Sequence, residues 1–126
     1  MSLTSAKLYT YPARVYYEDT DLSGLVYHAN YLKFCERART QAMLDERIDL
    51  NRLYQLSGWH FVVRSLQTQF HRPAQFLDAL SVVSQIQPKQ KTQIVWFQRI
   101  MNPTQDMTYV TLEAQLVLID QRMRPK

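Results

Sequence analysis

From residue 10 to residue 18, apolar and polar positions alternate with a period of two, which puts Tyr11, Ala13, Val15 and Tyr17 on one face of a strand. The period then lengthens. Between about Ala29 and Arg47 the positions Tyr31, Leu32, Cys35, Ala38, Ala42 and Met43 form one helical stripe, with Lys33, Glu36, Arg37, Gln41 and Asp45 elsewhere. Neither Gly nor Pro interrupts this stretch, so it predicts one long helix. Asp49 is placed to cap a short helix carrying Leu50, Leu53 and Tyr54, which Ser57-Gly58 ends.

Beyond Gly58 the pattern has strand character to the end. Residues 61–71 read as a strand with an irregularity at Arg64-Ser65, broken by Arg72-Pro73-Ala74. Leu80, Val82, Ser84 and Ile86 mark the next strand, closed at Pro88. A strand over 92–101, a hairpin loop over 102–106 and a strand over 108–119 complete the chain. Short connections favour antiparallel neighbours, so one strand, one long helix and four strands predict an α+β fold with helix and sheet segregated. In the 92–101 strand both faces are apolar: Ile94, Trp96 and Ile100 on one, Val95, Phe97 and Met101 on the other. One helix covers one side of a sheet, so a second subunit is expected against part of the other.

A length of 126 residues with 46% hydrophobic and 21% charged residues is that of a single globular domain, 1–126. No apolar run approaches the roughly 20 residues of a membrane span. The N-terminus lacks the apolar core of a signal peptide, and Cys35 is a lone cysteine, so a reducing, cytoplasmic setting is expected. The net charge of +4 favours anionic partners, and eight tyrosines raise the question of a nucleic-acid module. Six of those tyrosines precede residue 32 and interleave with acidic residues, which repel a phosphate backbone. No nucleic-acid partner is expected.

Chemistry concentrates between residues 16 and 31. A strand runs into the acidic triplet Glu18, Asp19 and Asp21, bends at Ser23-Gly24, and reaches a helix start near His28-Ala29-Asn30. Glycine is scarce, two residues where average usage of about 7% gives roughly nine. Gly24 therefore marks a turn or a place where a ligand meets backbone. A carboxylate beside a helix N-terminus lies next to unpaired N–H groups and the positive end of the dipole. A carbonyl held there is polarised while the carboxylate attacks it or activates water, which is acyl-transfer chemistry. Asp21 as a simple turn or helix cap has the same composition. Cys35 and His28 are seven residues apart on one helix, about 10 Å by rise, too far for a nucleophile–base pair. His28, His60 and His71 have no ligand spacing, so no metal site is expected, and no cofactor-binding loop is present.

The stretch Tyr16-Tyr17-Glu18-Asp19-Thr20-Asp21, Gly24-Leu25-Val26-Tyr27-His28, Tyr31 and Phe34-Cys35-Glu36-Arg37-Ala38-Arg39 closely resembles the 4-hydroxybenzoyl-CoA thioesterase family. Within it, the match is nearest to the acyl-CoA thioesterases associated with the Tol-Pal system. Phe61-Val62-Val63-Arg64, Pro73-Ala74, Asp78, Asp120 and Met123-Arg124-Pro125 extend the resemblance, and family members usually continue briefly beyond that point. The resemblance implies a hotdog fold, one long helix wrapped by a five-stranded antiparallel sheet. It implies Asp21 as the catalytic carboxylate and His28 as an active-site residue whose N–H meets the thioester oxygen. Gly24, Tyr27, Asn30, Glu36 and Arg64 are candidate substrate-binding positions, with core or cap roles open for Tyr27 and Asn30 and ion pairing with Lys33 or Arg39 the simpler account of Glu36. Leu22-Ser23 departs from the small residues that relatives carry before the glycine. The expected activity is hydrolysis of a small or medium acyl-CoA, or of an acyl carrier protein thioester, by a homodimer or homotetramer without cofactor. A non-catalytic acyl-thioester-binding hotdog protein is the alternative, and a hotdog hydratase a more distant one.

Overall fold

The computed structural model describes residues 7–90 and 92–126. The start of the segment read for a signal peptide lies outside the described residues. Strand β1 (Leu8–Arg14) leads through a single 3-10 turn (Tyr17–Asp19) into helix α1 (Asn30–Asp45) and a short α2 (Leu50–Ser57). Four strands follow, β2 (His60–Phe70), β3 (Ala79–Gln90), β4 (Gln93–Met101) and β5 (Thr108–Ile119). They form one antiparallel sheet in the order β1-β3-β4-β5-β2. The alternation at the N-terminus holds as far as Val15, which is buried, but Tyr17 is 81% exposed because the chain has already turned. The Asp19 carboxylate accepts the Tyr16 N–H at 2.8 Å and closes that turn.

Helix α1 lies on one face of the sheet. It buries Tyr31, Phe34, Cys35, Ala38, Ala42 and Met43 against inward-facing Leu80, Val82, Ile86, Trp96, Ile100 and Val110 of the strands. Leu32, assigned to the stripe from sequence, is only half-buried, and Phe34 takes the deeper place. Such burial is worth roughly 1.5–3 kcal/mol for each large apolar side chain. One polar group sits in this core. Gln98, 1% exposed, donates Nε2 to the Cys35 carbonyl and to Ser84 Oγ, each at 2.9 Å, and its Oε1 accepts from Arg39 at 2.9 Å. Without those partners a buried amide would be costly.

The expected fully apolar outer face of β4 is corrected. Val95 and Met101 are buried within the subunit, and only Phe97, 40% exposed, remains open on that side. The stronger sign of a missing partner is β2. This edge strand has eleven residues, no Pro or Gly, and Val63, Leu66 and Phe70 exposed. Strand β1, the other edge, is shorter and carries Pro12, which offers no N–H for pairing. The irregularity expected at Arg64-Ser65 is a bulge, since the register with β5 shifts between Val63 and Ser65.

Asp49 caps α2 as the sequence predicts, its carboxylate accepting the Arg52 N–H at 3.1 Å. Gly58 ends α2 at φ 75°, and a Cβ there would meet the Gln121 side chain at 2.9 Å. The positive φ requires glycine here, whereas the exposed Gln121 side chain can swing aside.

Candidate active site

The 3-10 turn, the loop to Val26 and the start of α1 are tied together by backbone. Asp19 is the knot: its carbonyl accepts the Tyr27 N–H at 2.9 Å and the Asn30 side-chain amide at 3.0 Å. Asp19 thus serves loop structure, and Asn30 is a strut of the loop. Next to it the loop tightens, with Asp21 N–H on the Leu25 carbonyl at 2.9 Å and Gly24 N–H on the Asp21 carbonyl at 3.0 Å. Gly24 has φ 82° and nothing within 4 Å of where its Cβ would be. A side chain there would be strained without clashing, and the open space leaves the loop backbone approachable.

Asp21 projects from this loop into solvent. Its Oδ1 accepts both the Ser23 hydroxyl and the Ser23 N–H. These bonds, the Ser23 hydroxyl foremost, hold the carboxyl below its ordinary value. The ionised form is the one that attacks or takes a proton. A depressed pKa keeps that form as pH falls, so activity due to Asp21 is expected to persist down to the ordinary carboxylate value of about 3.9 and fall off below it. A pH–rate profile, read where the fold is still intact, checks this; a half-loss near neutral pH would assign the working group elsewhere.

Seven residues on, the chain enters α1. The Asn30 N–H closes a turn onto the Tyr27 carbonyl at 2.8 Å, and Ala29 caps the helix without a side-chain bond. The His28 N–H has no acceptor among the described residues. Helix starts leave such donors open, and here no capping side chain competes for them. The His28 ring lies 4.5 Å from that of Tyr27 and 6.2 Å from that of Phe70, centroid to centroid.

Asp21 and His28 line one cavity of about 290 Å³, together with Leu25, Tyr31, Phe70 and Arg72. None of the last four was anticipated as a site residue. Phe70 and Arg72 arrive through β2, whose pairing with β5 is not written in any local pattern, and only the break at Arg72-Pro73 marked the segment. Tyr31 was assigned to the core stripe; its hydroxyl accepts the Ala74 N–H at 2.9 Å and fastens the 71–75 segment to the helix start. Tyr27 stands beside His28, about half exposed. Glu36 and Arg64 are not brought to this cavity. Glu36 lies farther along α1 and accepts the Thr40 hydroxyl at 3.0 Å, and Arg64 sits at the bulge in the middle of the β2 edge.

Cys35 is buried and its thiol is pushed up to about 12 by burial, so it supplies no thiolate at neutral pH. Among the described residues no three metal-ligating side chains come together. A larger concavity, about 810 Å³, lies on the outer face of the sheet around Gln67, Gln85, Phe97, Arg99 and Glu113. No helix start opens into it. The smaller cavity, lined by a carboxylate and by the residue whose N–H stays open at the helix start, is the better candidate for chemistry.

Comparison with known proteins identifies the family. The model of the thioesterase-like superfamily matches residues 15–126. The acyl-CoA thioester hydrolase YbgC of Escherichia coli is 36% identical over 120 residues, covering 94% of this chain and 88% of that protein. The acyl-CoA thioesterase YbgC of Helicobacter pylori is 44% identical over 87 residues, 69% of this chain and 62% of that one. Among solved structures, a probable thioesterase from Bartonella henselae superposes with a TM-score of 0.88 at 32% identity, covering 95% of this chain and 98% of the other. A five-stranded sheet wrapped on one long helix, matched over nearly its whole length, makes this chain a member of the thioesterase-like superfamily, with the hotdog fold.

Proposed function

We propose that this protein hydrolyses acyl-CoA thioesters, with Asp21 as base or nucleophile and the His28 N–H as donor to the thioester carbonyl. The observation that carries the reading is the shared cavity, lined by both the Asp21 carboxylate and His28, whose N–H has no acceptor among the described residues. Relatives named acyl-CoA thioesterases at 34–44% identity supply the substrate class. A thioester suits so spare a site. Its leaving thiolate needs no strong acid, so a carboxylate and an oxyanion donor suffice. Acyl carrier protein thioesters present the same bond and are included in the proposal, as is a cytoplasmic setting. No helix among the described residues is long and apolar enough to cross a membrane.

The rival reading is a binding protein in which Asp21 only closes its own turn, and the two Ser23 bonds to Oδ1 favour it. Thiol release from a series of acyl-CoAs, without added metal or cofactor, separates the two. Hydrolysis supports the enzyme. Intact acyl-CoA recovered from a tight complex supports the binder, and hydration of an enoyl-CoA would mean a third chemistry.

The working unit in this reading is at least a homodimer paired through β2, with the site near the junction. Pairing satisfies a row of backbone groups and covers Val63, Leu66 and Phe70. Light scattering at micromolar concentration is expected to give at least twice the chain mass; a stable monomer would contradict the assembly.

A further inference from the structure

The two groups assigned to the reaction reach the Asp21 cavity on separate pieces of chain. The His28 N–H belongs to the start of α1. The carboxylate belongs to a tight hairpin, in which Thr20 is bridged to Val26 and the Asp21 N–H meets the Leu25 carbonyl at 2.9 Å. Asp19 ties the base of this hairpin to the helix, through Tyr27 and Asn30, but those bonds stop short of the turn that carries Asp21. The far arm of the hairpin leans on residues 74–76 instead. The Val26 N–H reaches the Ala74 carbonyl at 2.9 Å, Leu25 is bridged to Gln75, and the Phe76 N–H reaches the Gly24 carbonyl at 3.3 Å.

Residues 74–76 lie in the connection between β2 and β3, which the sheet holds at either side. The Arg72 N–H bonds the Tyr109 carbonyl at 3.1 Å, and the Leu77 N–H bonds the Val15 carbonyl at 2.9 Å. Between these anchors the Ala74 N–H crosses to α1 and meets the Tyr31 hydroxyl at 2.9 Å. Ala74 is fully buried and Tyr31 nearly so. Burial pushes the Tyr31 phenol above its ordinary value, so it serves as a neutral hydroxyl and not as a second base. Packing alone asks only for the ring, which lies 5.9 Å from that of Phe70, and a phenylalanine would supply it. The hydroxyl calls for a further reason.

Tyr31 stands three residues after His28 at the same helix start. A shift of 74–76 against α1 therefore changes the gap between Asp21 and the His28 N–H. Reacting groups need to be held within about 0.5 Å of their productive places, and an error of about 1 Å costs on the order of 10²-fold in rate. We propose that Tyr31 is a positioning residue for the hydrolysis. Its hydroxyl, fixed on α1, sets the place of Ala74, and through Val26 and Leu25 the place of the Asp21 carboxylate relative to the His28 N–H. The proposal rests on reading Asp21 as the reacting carboxylate.

Tyr31→Phe removes the hydroxyl and keeps the ring. On hexanoyl-CoA, at a temperature where circular dichroism shows the variant folded, kcat is expected to fall about 10- to 100-fold while KM stays within about twofold. Tyr9→Phe is the matched control. It deletes another buried hydroxyl, bonded to Glu46 at 2.7 Å beyond the far end of α1, and should leave kcat within about twofold. Equal losses in the two variants, or an unchanged kcat in Tyr31→Phe, would overturn the proposal. The decisive arm repeats Tyr31→Phe in the Asp21→Asn background. A hydroxyl that acts through the carboxylate has nothing left to place there, so the double variant should be no slower than Asp21→Asn alone. Losses that multiply would show an effect independent of Asp21 and refute the positioning role. Wild-type rates in Asp21→Asn by itself would remove Asp21 from the reaction, a failure of the underlying reading that is visible before Tyr31 is changed. If Tyr31→Phe does not fold, Pro73→Gly takes its place with the same expectations, because it loosens the same connection without deleting a buried group.

Discussion

Asp21→Asn is expected to lower kcat on acyl-CoA by about 10²- to 10⁴-fold, the usual cost of losing a general base, while leaving the fold untouched. The second half of that expectation comes from the loop. Asn keeps a side-chain oxygen in the place of Oδ1, so the Ser23 N–H and hydroxyl retain their acceptor. The backbone bonds of Asp21 to Leu25 and Gly24 do not involve the side chain at all. What disappears is the negative charge. Thermal unfolding unchanged beside a collapsed kcat would assign Asp21 to the chemistry. A well-folded variant with half the wild-type rate would leave it as a turn residue.

The second large effect concerns the backbone at position 28. Charge develops on the thioester oxygen as the carbonyl is attacked, and one well-aimed donor is worth roughly 2.7–4 kcal/mol in that state. His28→Ala keeps the N–H and removes only the ring, with its contacts to Tyr27 and Phe70. His28→Pro removes the donor itself. The geometry tolerates proline, because residue 28 is the second position of the turn closed by Asn30 N–H on the Tyr27 carbonyl, a place proline favours. For folded variants, kcat of His28→Pro should lie at least 10²-fold below that of His28→Ala. Equal values would show that this amide is not the donor.

What could be read in advance follows from how local each feature is. The α1 stripe, the Asp49 cap and the bulge near Arg64 depend on neighbours within a few positions, and the chain displays them directly. The end of β1 was overrun because Tyr17 continues the alternation, while the interaction that stops it, Asp19 on the Tyr16 N–H, is a choice between two conformers that periodicity does not register. Gln98 gave a signal that went unused. It shares strand parity with Trp96 and Ile100, so an inward-facing amide needing partners was implied. The site divides the same way. Asp21, Gly24 and His28 lie within one short loop, whereas Phe70 and Arg72 join them only through the non-local pairing of β2 with β5. Glu36 and Arg64 fall outside the Asp21 cavity, and Glu36 instead lines a hollow between α1 and the β2 edge.

The strand order also has a consequence for synthesis. His60 pairs with Ile119 and Phe70 with Val110, so β2 leaves the ribosome about forty to sixty residues before its neighbour in the sheet. At roughly 5–20 residues per second the nascent chain carries β2 with both edges bare for several seconds. Until β5 emerges, the backbone groups along that edge of β2 lack the strand they pair with in the finished sheet. A chain cut short before residue 108 would keep β2 and lack β5, the strand that pairs with it among the described residues. Such fragments should aggregate, whereas release of β5 lets the sheet close from within.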